Sequence, residues 1–141
     1  MKHYLPLISA TAFALTITGP NLFAAELTVE VTNIQPIQST LYISLYKDAQ
    51  GFNANNNFVR REKINVDKNT TQLILNDLPA GDYALKAFQD VNNNGKMDFD
   101  GIRPAEPYGS SSNSTEFAPP NFLDARFTLD KDQKVKVQLQ K

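Results

Sequence analysis

Apolar and polar residues alternate one for one through residues 27–34, 40–47 and 134–139. A side-chain period of two belongs to a strand with one buried face, because successive side chains point to opposite sides of the backbone. Leu41, Ile43 and Leu45 therefore share one face, and Tyr42 and Tyr46 share the other. The same pattern, with weaker contrast, predicts strands at residues 60–66, 70–75, 82–89 and 122–129. The charged residues of 60–66 suit a sheet edge, where Lys and Arg discourage strand addition by a neighbouring chain. Residues 48–51 read as a turn, and residues 52–58 as a solvated asparagine-rich loop anchored by Phe52 and Phe58. Residues 76–81 read as a tight reversal, with Pro79 and Gly81 in turn positions. Residues 99–121, with four prolines and a serine cluster, read as one long irregular loop. No helical period follows residue 25. Six to seven strands with short turns predict an all-β fold. An antiparallel β-sandwich, Ig-like or transthyretin-like in outline, is the first expectation, and a small closed β-barrel the alternative.

Residues 1–25 have the order of a secretory signal peptide. A basic start at Lys2 and His3 precedes an apolar run from Leu5 to Ile17, a break at Gly19-Pro20, and small residues at Ala24 and Ala25. The run is too short and too interrupted for a membrane span. Residues 26–141 then form a single domain, large enough to bury a core without covalent staples. The chain has no cysteine, which is ordinary in a bacterial envelope. Its one histidine, His3, lies in the leader, so the remaining chain has no imidazole for acid–base work or zinc. With 14 basic and 15 acidic residues, the charge balance argues against a nucleic-acid or anionic-membrane partner. A periplasmic or secreted location is expected, with no transmembrane segment after cleavage.

One stretch states a chemistry. Residues 90–98 place oxygen-bearing side chains at every second position, Asp90, Asn92 and Asn94, followed by Gly95 and then Asp98. A hard cation such as Ca2+ takes six to eight oxygen ligands from a loop that curls around it. Alternating residues turn toward the same side of such a curl, and Gly95 permits the sharp reversal. The spacing is that of the first half of an EF-hand loop, with Lys96 offering its main-chain carbonyl. The second half departs from it. Gly101 stands where the bidentate glutamate belongs, and a strand rather than a helix precedes the loop. Asp100 and Glu106 are the nearest carboxylates that can close the coordination. The expected metal ligands are thus Asp90, Asn92, Asn94, Lys96, Asp98 and Asp100, and the expected ion is a structural Ca2+. With two neutral amides among the ligands, affinity belongs in the weak extracellular range, roughly 10⁻⁴–10⁻³ M. The competing reading is plain turn chemistry, since Asp, Asn and Gly are ordinary turn formers.

The chain resembles the domain-of-unknown-function family 2141, small exported bacterial proteins. The resemblance rests on Leu78-Pro79-Ala80-Gly81-Asp82-Tyr83-Ala84, on the Asp90 to Asp98 loop, on Gly101 through Gly109, on Pro119 to Phe122, and on Asp124 to Phe127. It departs at Ser110, where the family usually has an aromatic. The resemblance implies an exported β-sandwich and no established activity. The Leu78 to Tyr83 segment is also similar to transthyretin-like and carboxypeptidase-regulatory-like domains, which implies the fold alone.

Three functions follow in order. The first is an accessory or binding module of the cell envelope, stabilised by calcium, with Tyr108, Phe117 and Phe122 as candidate aromatics for an unidentified protein or glycan; core packing is the favoured reading of Phe122 and an equal one for Tyr108. The second is a carbohydrate- or envelope-polymer-binding module with Tyr108 as its platform, weakened by the absence of tryptophan. The third is an enzyme using carboxylates among Asp98, Asp100 and Glu106. Carboxylates beside a cation loop are more simply ligands, so no enzymatic activity is expected.

Overall fold

The computed structural model describes residues 24–112 and 120–141. The expected leader, except Ala24 and Ala25, lies outside these residues, as does Phe117. Two sheets face each other. The first has β1 (Ala24–Thr32) at its centre, between β4 (Thr71–Pro79) and β10 (Gln133–Gln138). The second runs from β3 (Arg60–Val66) through β2 (Ser39–Tyr46) to β5 (Gly81–Asp90). The far edge of β5 is shared. Its first half pairs with β9 (Phe127–Leu129), and its second half with β8 (Tyr108–Ser110).

The alternation decides which faces meet. Leu27, Val29 and Val31 of β1 face Leu41, Ile43 and Leu45 of β2 and Tyr83, Leu85 and Ala87 of β5 in one buried cluster. Cross-strand register keeps these residues opposite one another, Ile43 beside Ala87 and Leu45 beside Leu85. The charged strand β3 sits at a sheet edge, as its composition requires. The sheets do not close into a barrel. They touch along one edge, where Tyr108 and Gln140 exchange main-chain N–H···O bonds of 2.9 and 2.8 Å.

Four features differ from the expectation. First, β1 and β10 run parallel, while the other strand pairs are antiparallel. Residues 130–132 carry the chain from one sheet to the other, and such a crossing imposes no hairpin register. The reversal near Pro79 is likewise a corner between sheets, fastened by the Tyr83 hydroxyl donating to the Pro79 carbonyl at 2.7 Å.

Second, residues 48–55 form a short helix, α1 (Ala49–Ala54). The Asp48 carboxylate accepts the Gly51 N–H at 2.7 Å, and left-handed Asn55 ends the helix. Third, residues 122–125 are not strand but the turn of helix α2 (Phe122–Ala125), capped by the Asn121 side chain. Both helices cover the outer face of β2 and β5. There Phe52 and Phe122 pack with Tyr46 and Ala84, with Phe58 at the margin. Phe122 thus fills a core, the reading its sequence favours.

Fourth, residues 99–112, the described first part of the expected loop, are not irregular throughout. They contain a hairpin of β6 (Phe99–Asp100) and β7 (Arg103–Pro104), and then β8. No helix among the described residues is long and apolar enough to cross a membrane.

Gly109 of β8 lies hard against the main chain of β10. A Cβ there would collide with the main-chain oxygen of Gln138 and meet a Val137 methyl at 3.0 Å. Gly109→Ala should therefore lower the urea unfolding midpoint, at a cost of about 1–3 kcal/mol for overpacking, with the denaturant slope unchanged.

Candidate metal centre

Strand β5 delivers the loop. Its outer face carries Lys86, Phe88 and then Asp90, and Asp90 is only 1% exposed. Both oxygens of its carboxylate are engaged by the loop that follows. Oδ1 accepts the Asn94 N–H at 3.1 Å, and Oδ2 accepts the Gly95 N–H at 2.8 Å. To bring those two N–H groups back, the chain takes positive φ at Asn93 and Gly95, conformations that asparagine and glycine tolerate best. The Asn93 side chain is tied to β2 by the Thr40 hydroxyl at 2.7 Å.

The other side chains of the curl meet at Asp98. The amide nitrogens of Asn92 and Asn94 both donate to its carboxylate, at 2.6 Å and 2.8 Å. Their amide oxygens turn onto the main chain. Asn92 Oδ1 accepts the Asn94 N–H at 3.1 Å, and Asn94 Oδ1 accepts the Lys96 N–H at 2.9 Å. A carbonyl oxygen has two lone pairs, so each of these oxygens keeps one for a further partner. Asp90, Asn92, Asn94 and Asp98 are thus brought together by hydrogen bonds, as the spacing predicts. Lys96 contributes its N–H to the same network, and its side chain is solvent-exposed.

The two candidate closing carboxylates separate clearly. Asp100 is exposed and lies in the β6–β7 hairpin, paired through its backbone with Arg103. Glu106 is 5% exposed and clamps both ends of the loop. Its Oε1 accepts the Val91 N–H at 2.8 Å, and its Oε2 accepts the Asp98 N–H at 3.3 Å. The Ala105 N–H adds a bond to the Asp98 carbonyl at 2.8 Å. Sequence spacing cannot rank Asp100 against Glu106, because the hairpin between them sets which one returns to the loop.

Three carboxylates therefore border one curl. The ion pairs among the described residues join Arg126 to Asp82 and Lys134 to Glu30, so none of the three has a cationic side chain beside it. Neutral N–H donors satisfy their oxygens without cancelling their charge. Also among the described residues, no three acidic, histidine or cysteine side chains converge tightly enough to hold a metal by themselves. A cation here must draw on amide and main-chain oxygens too, the donor set a hard ion such as Ca2+ prefers.

The clamp can be tested apart from any ion. In the presence of EDTA, Glu106→Gln should cost about 1–3 kcal/mol, because an amide nitrogen then faces a main-chain N–H. Asp100→Asn, on an exposed hairpin, should stay within about 0.5 kcal/mol of the parent. Urea unfolding of both variants measures the difference.

No curated protein and no solved structure matches the chain. One family does, and the match spans residues 29–138, from β1 through β10 and including the whole loop with its Glu106 clamp. The chain belongs to that family, DUF2141, described as an uncharacterized protein conserved in bacteria.

Proposed function

We propose that the protein is an exported, non-catalytic accessory or binding module of the bacterial envelope, whose loop from Asp90 to Asp98 holds a structural Ca2+. The observation that carries this reading is the pair of buried carboxylates, Asp90 and Glu106, beside Asp98, with no cationic side chain paired to any of them. Buried charge is costly unless it is paired or coordinates a metal. The ligands would be the carboxylates of Asp90 and Asp98, the second lone pairs of the Asn92 and Asn94 amide oxygens, and the Lys96 carbonyl. The bound ion would supply charge neutralisation and hold the curl closed. Rotation of the two amide nitrogens away from Asp98 would free that carboxylate for the ion.

The leader-like order of residues 1–25 supports export, and millimolar calcium outside the cytoplasm suits a site of weak affinity. The glycan-binding alternative has less support. Tyr108, its expected platform, is half-buried in β8, and the chain has no tryptophan to add to it.

Calcium at about ten times its dissociation constant should stabilise the folded chain by about 1–2 kcal/mol. Thermal unfolding should therefore show a midpoint several degrees higher in Ca2+ than in EDTA, and Asp90→Asn should erase the difference. Equal midpoints in Ca2+ and EDTA would remove the metal from this reading.

A further inference from the structure

A cleft of about 360 Å³ opens on the outer face of the second sheet, between α1 and the β6–β7 hairpin. That volume lies within the range of small-molecule sites. Its walls include the aromatic rings of Phe58, Phe88, Phe99 and Tyr108. Two apolar residues of the hairpin stand uncovered at its margin, Phe99 at 59% exposure and Ile102 at 95%.

The charge of the lining is one-sided. Lys86 and Arg61 line the cleft, and no Asp or Glu does. Lys86 is half-buried. Its ammonium donates to the Phe52 carbonyl at 2.6 Å and to Asn55 Oδ1 at 2.8 Å, and stands 4.2 Å from the centre of the Phe52 ring. An ammonium has three N–H donors, so one remains. Burial pushes its pKa down from 10.5 to about 8, which a bound anion would reverse. The Arg61 guanidinium lies 5.1 Å from the Phe58 ring centre and 5.0 Å from that of Tyr42. It has no carboxylate partner among the described residues. Guanidinium and ammonium groups held at an aromatic wall favour a planar anion that can stack and accept hydrogen bonds at once.

We propose that this cleft binds a small organic anion, an aromatic body bearing a carboxylate or sulfonate, with Lys86 and Arg61 as its charge partners. The cations stand on β5 and β3, so the proposal does not rest on the loop holding a metal. Phe99 links the two regions, since it follows Asp98 directly and forms part of the cleft wall.

The test uses anilinonaphthalenesulfonate and its uncharged parent phenylnaphthylamine in fluorescence titrations of the folded protein. The anion should bind saturably at one site and about tenfold more tightly than the neutral probe. Lys86→Met and Arg61→Gln should each weaken the anion by about tenfold, the worth of one charged hydrogen bond, and leave the neutral probe within about twofold. Arg61 lies on an exposed edge strand, so Arg61→Gln serves even if Lys86→Met fails to fold. Equal affinity for the two probes, binding without saturation, or anion affinity unchanged in Arg61→Gln would overturn the proposal.

Discussion

Asp90 is taken out of water at the end of a strand that is hydrogen-bonded on both edges. The strand cannot move to relieve it, so the chain beyond must fold back to satisfy the carboxylate. It does so with the N–H groups of Asn94 and Gly95, and that requirement shapes the curl. The neighbouring residue plays a matching part on the opposite face. Gln89, fully buried, accepts the Gln35 N–H at 3.0 Å and donates to Ser39 Oγ at 2.8 Å, holding the turn before β2. Two buried polar side chains at one strand end thus fix two loops, which suits the rule that buried polar groups keep their partners.

From this anchor the rest of the distal end follows. Glu106 draws the chain back to the start of the loop, and the hairpin carrying Phe99 and Ile102 is the excursion between loop and clamp. The next residues enter β8, which completes the edge of β5 and meets the chain end at Gln140. Loop, hairpin and sheet-to-sheet contact are therefore consecutive in sequence, and the aromatic cleft lies against the hairpin. An ion that tightens the curl would act first on the hairpin, and through it on the mouth of the cleft.

The strands with clean alternation were legible because a period of two leaves no other solution; β1, β2 and β10 are the clearest. The parallel pairing of β1 with β10 was not, since it depends on a crossing between sheets that no local pattern records. The helix α1 escaped because it is only 6 residues long and is defined by its caps and by the packing of Phe52, not by a period. Residues 122–129 look like a strand in sequence, yet the Asn121 cap and the burial of Phe122 and Ala125 turn the first half into α2. The convergence of Asp90, Asn92, Asn94 and Asp98 was legible because alternating residues of a tight curl turn toward one side. The choice of Glu106 over Asp100 was not, because Glu106 arrives from beyond a hairpin. The cleft gave no sequence signal at all, as its residues come from separate strands, a helix and a hairpin.

The central claim is that the curl anchored on Asp90 accepts a hard cation. Terbium takes the same oxygen ligands as calcium and emits when excited through a nearby tyrosine. Tyr42 supplies that antenna, since its hydroxyl lies 3.7 Å from where a Cβ on Gly95 would stand. Tyrosine-excited terbium emission should saturate with a single ion, fall as Ca2+ is added, and be absent in Asp98→Ala. Emission no greater than that of free terbium, or emission unchanged by Ca2+ and by Asp98→Ala, would contradict the account.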